Sequence, residues 1–157
     1  MKIKIRKVTL CDVKALMPLI AQLGYPISEE NLMARIALYQ LGSNDIAWVA
    51  TDEQDNIIGC IAVHIYDLFH CTERYAKIVS LVVDESHRRK GIGQMLLERA
   101  ERYTKKKDCH TLELSTSLKR IKFGAPAFYI SLGYHNEGEY ESYYFRKFLK
   151  PKEGPIL

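Results

Sequence analysis

This chain lacks the features that would mark it as membrane-embedded, secreted or metal-bound. No apolar run approaches the roughly 20 residues needed to cross a bilayer. Residues Met1 to Arg6 alternate apolar and charged side chains and have no signal-peptide core. The four cysteines, Cys11, Cys60, Cys71 and Cys109, make no CxxC pair, so neither a zinc ribbon nor a dithiol redox motif is indicated. Free thiols are then the default, and they point to the cytoplasm. His64, His70, His87, His110 and His135 share no ligand spacing with a cysteine or carboxylate, and no metal is expected. Internal repeats, linkers and low-complexity segments are absent. Charge is modest too: a net +4 is too little to argue for nucleic acid, although it suits a small anionic ligand. The expectation is a cytoplasmic protein with neither a nucleic-acid nor a membrane partner.

What is present is ordinary globular sequence. The 157 residues, 47% hydrophobic and 27% charged, suit one domain with a sizeable core. Residues 1–150 are read as that domain and residues 151–157 as a loose tail. Alternation over residues 2–8 predicts a half-buried strand. Thr9 with Asp12 caps a helix carrying Val13, Leu16, Leu19, Ile20 and Leu23 on one face, with Pro18 as a kink point. Ser28 caps a second helix with Leu32, Ile36 and Leu38 as apolar contacts. Strands follow at 46–51, 57–66 and 75–83, then a helix at 91–107 and a strand at 111–115. A basic loop covers Lys119 to Lys122, with a short helix at 125–132. A closing hairpin is expected from Tyr134–Asn136 and Ser142–Phe148 around Glu137-Gly138-Glu139. The strand–helix–strand step from 75 to 115 implies a parallel pair. The fold class is therefore α/β (α+β): a mixed sheet with helices on both faces. The long aromatic strand Tyr140–Phe148 is an exposed edge that could pair with a second copy in a homodimer, with the oligomeric state left open.

The organising stretch is Leu81 to Leu97, LVVDESHRRKGIGQMLL. A buried strand feeds a basic, glycine-bearing loop, and the loop opens a helix. Unpaired N–H groups and the partial positive charge of a helix N-terminus bind phosphate, and glycines let the backbone approach it. A P-loop requires GxxxxGK and then Ser or Thr, but here the lysine precedes the glycines. A dinucleotide loop requires GxGxxG, but Leu96 stands where the third glycine would be. What remains is a basic residue, two spacers and Gly-x-Gly: Arg88-Arg89-Lys90-Gly91-Ile92-Gly93.

Here the chain resembles the GCN5-related N-acetyltransferase family, whose acetyl-CoA loop is Gln/Arg-x-x-Gly-x-Gly/Ala. Upstream, Ile78 to Val83 is similar to the family's central strand. Downstream, Ala125-Pro126-Ala127-Phe128-Tyr129 and Leu132-Gly133-Tyr134 resemble its A-x-x-F-Y-x-x-x-G-F/Y segment. The resemblance implies a mostly antiparallel sheet with a splayed parallel pair, and acetyl-CoA as cosubstrate. Backbone groups of Leu81, Val82 and Val83 would pair with the pantetheine arm, and an N–H near Val82 would face the thioester oxygen. The segment Arg88, Arg89, Lys90, Gly91, Ile92, Gly93 and Gln94 would hold the pyrophosphate. Tyr129 matches the family tyrosine that protonates the departing thiolate, since a phenol can donate as a thiolate leaves.

The resemblance is incomplete. Lys77 stands where the histone-modifying branch carries its catalytic glutamate, and Leu118 lies near a position where many members carry an asparagine. Glu113, Glu73 and a water chain stay open as routes for the amine proton. The acceptor loops implied by the family, 24–28, 67–74 and 136–144, contain Tyr25, Asp67, His70, Glu73, Glu137, Glu139, Glu141, Tyr143 and Tyr144, with Tyr66 directly before the second. Carboxylates beside aromatic rings suit a small cationic amine. A protein or peptide amine, a silent acetyl-CoA-binding module and another kind of nucleotide binder are the alternatives.

Overall fold

Among the described residues five strands form one sheet in chain order: β1 (Lys4–Lys7), β2 (Asp45–Thr51), β3 (Ile57–Asp67), β4 (Arg74–Val83) and β5 (Cys109–Leu114). The first four pair antiparallel, and β4 and β5 pair parallel. The computed structural model describes residues 2–122, 124–136, 145 and 147–149. It divides into two units, Met1–Ser115 and Thr116–Leu157. The expected hairpin residues 137–144, the tail 151–157 and most of the aromatic edge lie outside the described residues. Tyr134–Asn136 form no strand.

In the first unit the sheet carries α1 (Val13–Gln22) and α2 (Glu29–Leu41) on one face and α3 (Ile92–Lys106) on the other. Alternation along β3 sorts the faces. Cys60 joins the cluster of Val8, Leu16, Leu19, Leu32, Ile36 and Val49 under α1 and α2. Its neighbours Ile61 and Val63 are fully buried on the α3 side, with Leu96 and Leu97 among the residues α3 buries. A single 3-10 turn, Leu10–Asp12, precedes α1, and the Asp12 carboxylate accepts from the Thr9 N–H at 2.8 Å. It also takes both guanidinium nitrogens of Arg6 at 2.8 Å each, which fixes β1 to the start of α1. Helix α1 runs through Pro18 as one element. Ser28 caps α2 as expected, its Oγ accepting from Asn31 N–H at 3.2 Å. Leu38, expected as an apolar contact, is instead 56% exposed.

In the second unit, Lys119 to Lys122 are not all loop: α4 spans Leu118–Ile121, with Lys122 as its cap, and α5 spans Ala125–Ser131. Among the described residues no helix is long and apolar enough to cross a membrane.

Candidate functional site: a forked strand pair and an uncapped helix

The β4–β5 ladder begins at Arg74–Cys109 and stops at Ile78–Leu114, while β4 continues to Val83. The reason is local. β3 pairs Ala62 with Ser80 and Val63 with Ile78, so Val79 is an extra residue in β4. A bulge bends its strand and increases the twist, and here it falls directly after Ile78–Leu114, the last pair of the ladder and the last residue of β5. Among the described residues no strand pairs with this edge of β4 from Val79 to Val83, a stretch of about 13 Å at ~3.3 Å per residue.

Hydrogen-bond alternation tells which groups line that edge. The Asp84 N–H donates to Ile58 O at 2.9 Å, and the register pairs Gly59 with Val83 and Cys60 with Val82. In an antiparallel ladder this directs the polar groups of Val82 to β3 and those of Leu81 and Val83 to the open side.

The strand then enters the loop. Asp84 caps a 3-10 turn, Glu85–His87, and organises it: its carboxylate accepts from Ser86 N–H at 3.0 Å, from the Ser86 hydroxyl and from Gln22 Nε2 at 3.0 Å. His87 Nδ1 lies 3.1 Å from the same carboxylate, half-buried and not simply facing solvent. Hydrogen bonds from Ser86, Gln22 and His87 hold the Asp84 carboxyl well below the usual range. Gln22 also accepts from Glu85 N–H at 3.0 Å, so the end of α1 braces the loop. That brace carries no sequence signal, because Gln22 and Asp84 are far apart in the chain.

Two basic side chains tie the loop to itself. Arg88 Nε donates to Val83 O at 3.2 Å and Lys90 Nζ to Ser86 O at 3.1 Å. Arg89 and Gly91 both have positive φ, 60° and 78°. Helix α3 starts at Ile92 with Gly91 as its N-cap, so no side chain caps it and no acidic residue occupies its first turn. Among the described residues the N–H groups of Ile92, Gly93 and Gln94 are the donors of that turn left without a partner in the helix. Gln94 Nε2 donates to Glu98 Oε1 at 3.0 Å, out along the helix. Gly59 lets this helix end approach the sheet: a Cβ there would meet Val82 O at 3.1 Å and Leu96 Cδ1 at 3.2 Å. A strand edge open to pairing, leading into an uncapped helix start beside three cations, suits a ligand with an extended amide arm and phosphates. This is the makeup of acetyl-CoA.

Tyr129 belongs to the second unit. α5 ends in a paired turn: Tyr134 N–H donates to Tyr129 O at 3.1 Å and Gly133 N–H to Ile130 O at 3.0 Å, with Gly133 at φ 88°. The turn packs the Tyr134 ring on Tyr129, centroids 5.8 Å apart, and Phe128 adds an edge contact at 5.2 Å. The spacing of Tyr129, Gly133 and Tyr134 thus has a physical purpose. Burial pushes the Tyr129 phenol above its ordinary pKa, with Arg120 opposing, so the group holds its proton at neutral pH.

At the base of the fork, polar side chains gather on the α1/α2 face. Lys77 is in register with His64 on β3 and Glu113 on β5. The Tyr66 hydroxyl donates to Glu113 Oε1, and burial with this bond raises the Tyr66 pKa. His64 stacks on Tyr66 at 5.9 Å and meets Asp45 Oδ1 at 2.7 Å through Nδ1. Glu73 is elsewhere, before the first residue of β4 and 3.7 Å from His110. Asp67 is engaged by Arg74 at 2.9 Å, closing the β3–β4 hairpin, and Tyr25 is exposed. The Asp45–His64 contact was not anticipated from sequence.

Residues 15–134 match the model of the acetyltransferase (GNAT) family. An uncharacterized N-acetyltransferase of Chlorobaculum tepidum is 30% identical over 97 residues, which are 62% of this chain and 57% of that protein. The chain thus spans little more than half the length of that curated relative. Glucosamine-6-phosphate N-acetyltransferase from Arabidopsis thaliana is 25% identical, with a TM-score of 0.74 over 93% of this chain and 100% of that one. Aminoglycoside N-acetyltransferase AAC(6')-Iy, solved in complex with CoA, has a TM-score of 0.78 over 93% and 95% of the two chains. At 18% identity that second likeness is one of fold.

Proposed function

Since the chain belongs to the acetyltransferase (GNAT) family, we propose that it moves an acetyl group from acetyl-CoA to a primary amine, by direct transfer in a ternary complex. The observation that carries this reading is the open edge of β4 running into the uncapped start of α3. Residues 1–150 act together as one acetyltransferase domain. Leu81 pairs with the pantetheine arm through its outward N–H and C=O and Val83 through its outward N–H, the Val83 C=O already accepting from Arg88. Val82 supports them from the ladder side, which moves the oxyanion donor expected near Val82 to the Leu81 N–H. The donors of Ile92, Gly93 and Gln94, with Arg88, Arg89, Lys90 and Gly91 around them, hold the pyrophosphate. Bound acetyl-CoA supplies an activated thioester carbonyl. Tyr129, kept protonated by burial, gives its proton to the departing sulfur.

A small cationic amine is the preferred acceptor. Asp45 and Glu113 place two carboxylates on the fork's α1/α2 face, beside the rings of Tyr66 and His64. Proteins of this fold include enzymes named for aminoglycoside and glucosamine-6-phosphate acetylation, which are amines of this size. All four cysteines are free, which supports a cytoplasmic setting.

The test is a thermal-shift comparison of acetyl-CoA, ATP and NAD, followed by thiol detection with a panel of amines. Acetyl-CoA at 100 times its Kd should stabilise the protein by about 2.7 kcal/mol, a rise of roughly 5–10 °C. A shift with ATP or NAD alone would end the proposal. Acetyl-CoA binding without thiol release on any amine would leave a silent binding module, and release on lysine peptides alone would replace the small amine by a protein one.

A further inference from the structure

A cavity of about 530 Å3 opens on the α1/α2 face, between α2, the start of β2, β3 and the β4 bulge. Arg35, Tyr39, Asp45, His64 and Val79 are among its lining residues. Val79 is the bulge residue, so the cavity reaches the point at which β4 leaves β5. The uncapped start of α3 belongs to the helix on the opposite face. The fork therefore has two approaches: a phosphate-bearing arm along the β4 edge from the α3 end, and a second reactant from the cavity.

Within the cavity, His64 is prepared for a proton. Its Nδ1 meets Asp45 Oδ1 at 2.7 Å, which places the ring hydrogen on Nδ1 and leaves the lone pair on Nε2. The ring is fixed further by its parallel stack on Tyr66, at 5.9 Å and 9°. Tyr66 in turn is anchored on Glu113. The imidazole is 44% exposed, enough to meet a reactant. Among the described residues Nε2 has no hydrogen-bond partner. Glu113, the other candidate base at the fork, already accepts from Tyr66.

We propose that His64 is the general base that takes the proton from the acceptor amine, with Asp45 as its positioning residue. The inference rests on the acetyltransferase reading above. An ammonium group enters from the cavity and gives one proton to His64 Nε2. The neutral nitrogen then attacks the thioester carbonyl carbon, the C–N bond forms and the C–S bond breaks. CoA leaves as the thiol, carrying the equivalent of the second amine proton. His64 returns its proton to solvent. One ammonium ion and one acetyl-CoA thus give one amide, one CoA thiol and one proton.

The test compares His64→Ala, His64→Gln, Asp45→Asn and Glu113→Gln with the wild-type chain. Each is assayed for acetyl-CoA binding by thermal shift and for thiol release with an aminoglycoside, glucosamine 6-phosphate, spermidine and a lysine peptide. The expected result is a kcat lowered about 100-fold in His64→Ala and His64→Gln, with acetyl-CoA binding unchanged. Free imidazole should restore turnover to His64→Ala, a rescue that a merely structural role would not give. Asp45→Asn should lower kcat about 10-fold by releasing the ring, with no change in the KM for acetyl-CoA. Wild-type kcat in both His64 variants, or loss confined to Glu113→Gln, would overturn the assignment while leaving the acetyltransferase standing. A wild-type chain that binds no acetyl-CoA, or releases thiol with no amine, would overturn both. If His64→Ala does not fold, His64→Gln, which keeps a hydrogen-bonding side chain toward Asp45, decides the matter.

Discussion

Replacing Gly91 by alanine separates the two roles of the loop, because the structure gives each a different magnitude. Gly91 has φ +78°, and a Cβ built on it meets nothing within 4 Å. Packing therefore contributes nothing to the cost in the free protein. What remains is the left-handed backbone, about 1–2 kcal/mol for an L-residue. For a chain of this size that lowers Tm by about 2–8 °C. The neighbouring Arg89 already holds φ 60° without being glycine, so the loop can carry such strain. The open space at Gly91 then needs a second explanation. On the proposed acetyl-CoA reading a phosphate oxygen crosses it to reach the N–H groups of Ile92 to Gln94, and a methyl group there would keep it away. Affinity for acetyl-CoA should fall by more than 10-fold, about 1.4 kcal/mol beyond the folding cost. Titration calorimetry at a temperature well below both Tm values reads the affinity, and thermal melts read the stability. A Gly91→Ala protein with lowered Tm and a Kd within twofold of wild type would show that the glycine only makes the turn. The converse control is Arg89→Gly, which should raise stability by about 1 kcal/mol through relief of the left-handed strain.

Further outcomes follow from other contacts. Tyr129→Phe should lower turnover about 100-fold with acetyl-CoA affinity unchanged, as read by thiol release and calorimetry; an unchanged rate would remove the tyrosine from the chemistry. Gly59→Ala should cost about 1–3 kcal/mol, because its Cβ would stand 3.1 Å from Val82 O and push either β4 or α3. Since both elements belong to the proposed acetyl-CoA site, affinity should drop with stability, and a stability loss without an affinity loss would refute the link. Asp12→Asn should cost about 2 kcal/mol, less than a fully buried pair because Arg6 keeps 29% of its side-chain surface. Burial alone would raise the Asp12 pKa, but the Arg6 hydrogen bonds and charge, with the Thr9 N–H, hold it below the ordinary range. A depressed folded-state pKa adds stability that is present above the unfolded value of about 4 and is lost as pH falls through the folded value. Urea midpoints of wild type should therefore fall toward pH 3 more steeply than those of Asp12→Asn, and parallel slopes would count against the pair.

Elements whose signal is local could be read from the chain. The Thr9–Asp12 box, the Ser28 cap, the alternation of β1 and the strand–loop–helix at 81–97 all announce themselves within a few residues. The Tyr129–Gly133–Tyr134 spacing was legible as well, since one helix-ending turn places both rings. The fork was legible only through resemblance. Its physical cause, the extra residue Val79, leaves no local trace, because Val79 reads as one more apolar residue in an apolar strand. The bracing of Asp84 by Gln22 and of His64 by Asp45 join residues 62 and 19 positions apart. Such pairs are set by the register of the sheet and by the seat of α1, which no short window contains. Leu38 shows the reverse error: it looks like core by spacing, yet it stands near the rim of the cavity on a helix whose buried side is Leu32 and Ile36.

Lys77 puts a cation in the middle of β4, so no carboxylate base stands at that position. It also opposes the entry of a cationic amine. The register offsets this by placing Glu113 on one side of Lys77 and His64, backed by Asp45, on the other. With Arg35 of the cavity the count is two carboxylates against two cations, so the face has no net field to draw a polyamine. What favours a cationic acceptor is local: Asp45 and Glu113 lie beside the rings of His64 and Tyr66, where an ammonium group meets a carboxylate and an aromatic face together. Contact pairs are screened less than a long-range field, so raising the ionic strength should weaken kcat/KM for a polycationic amine only about as much as for a monocationic one.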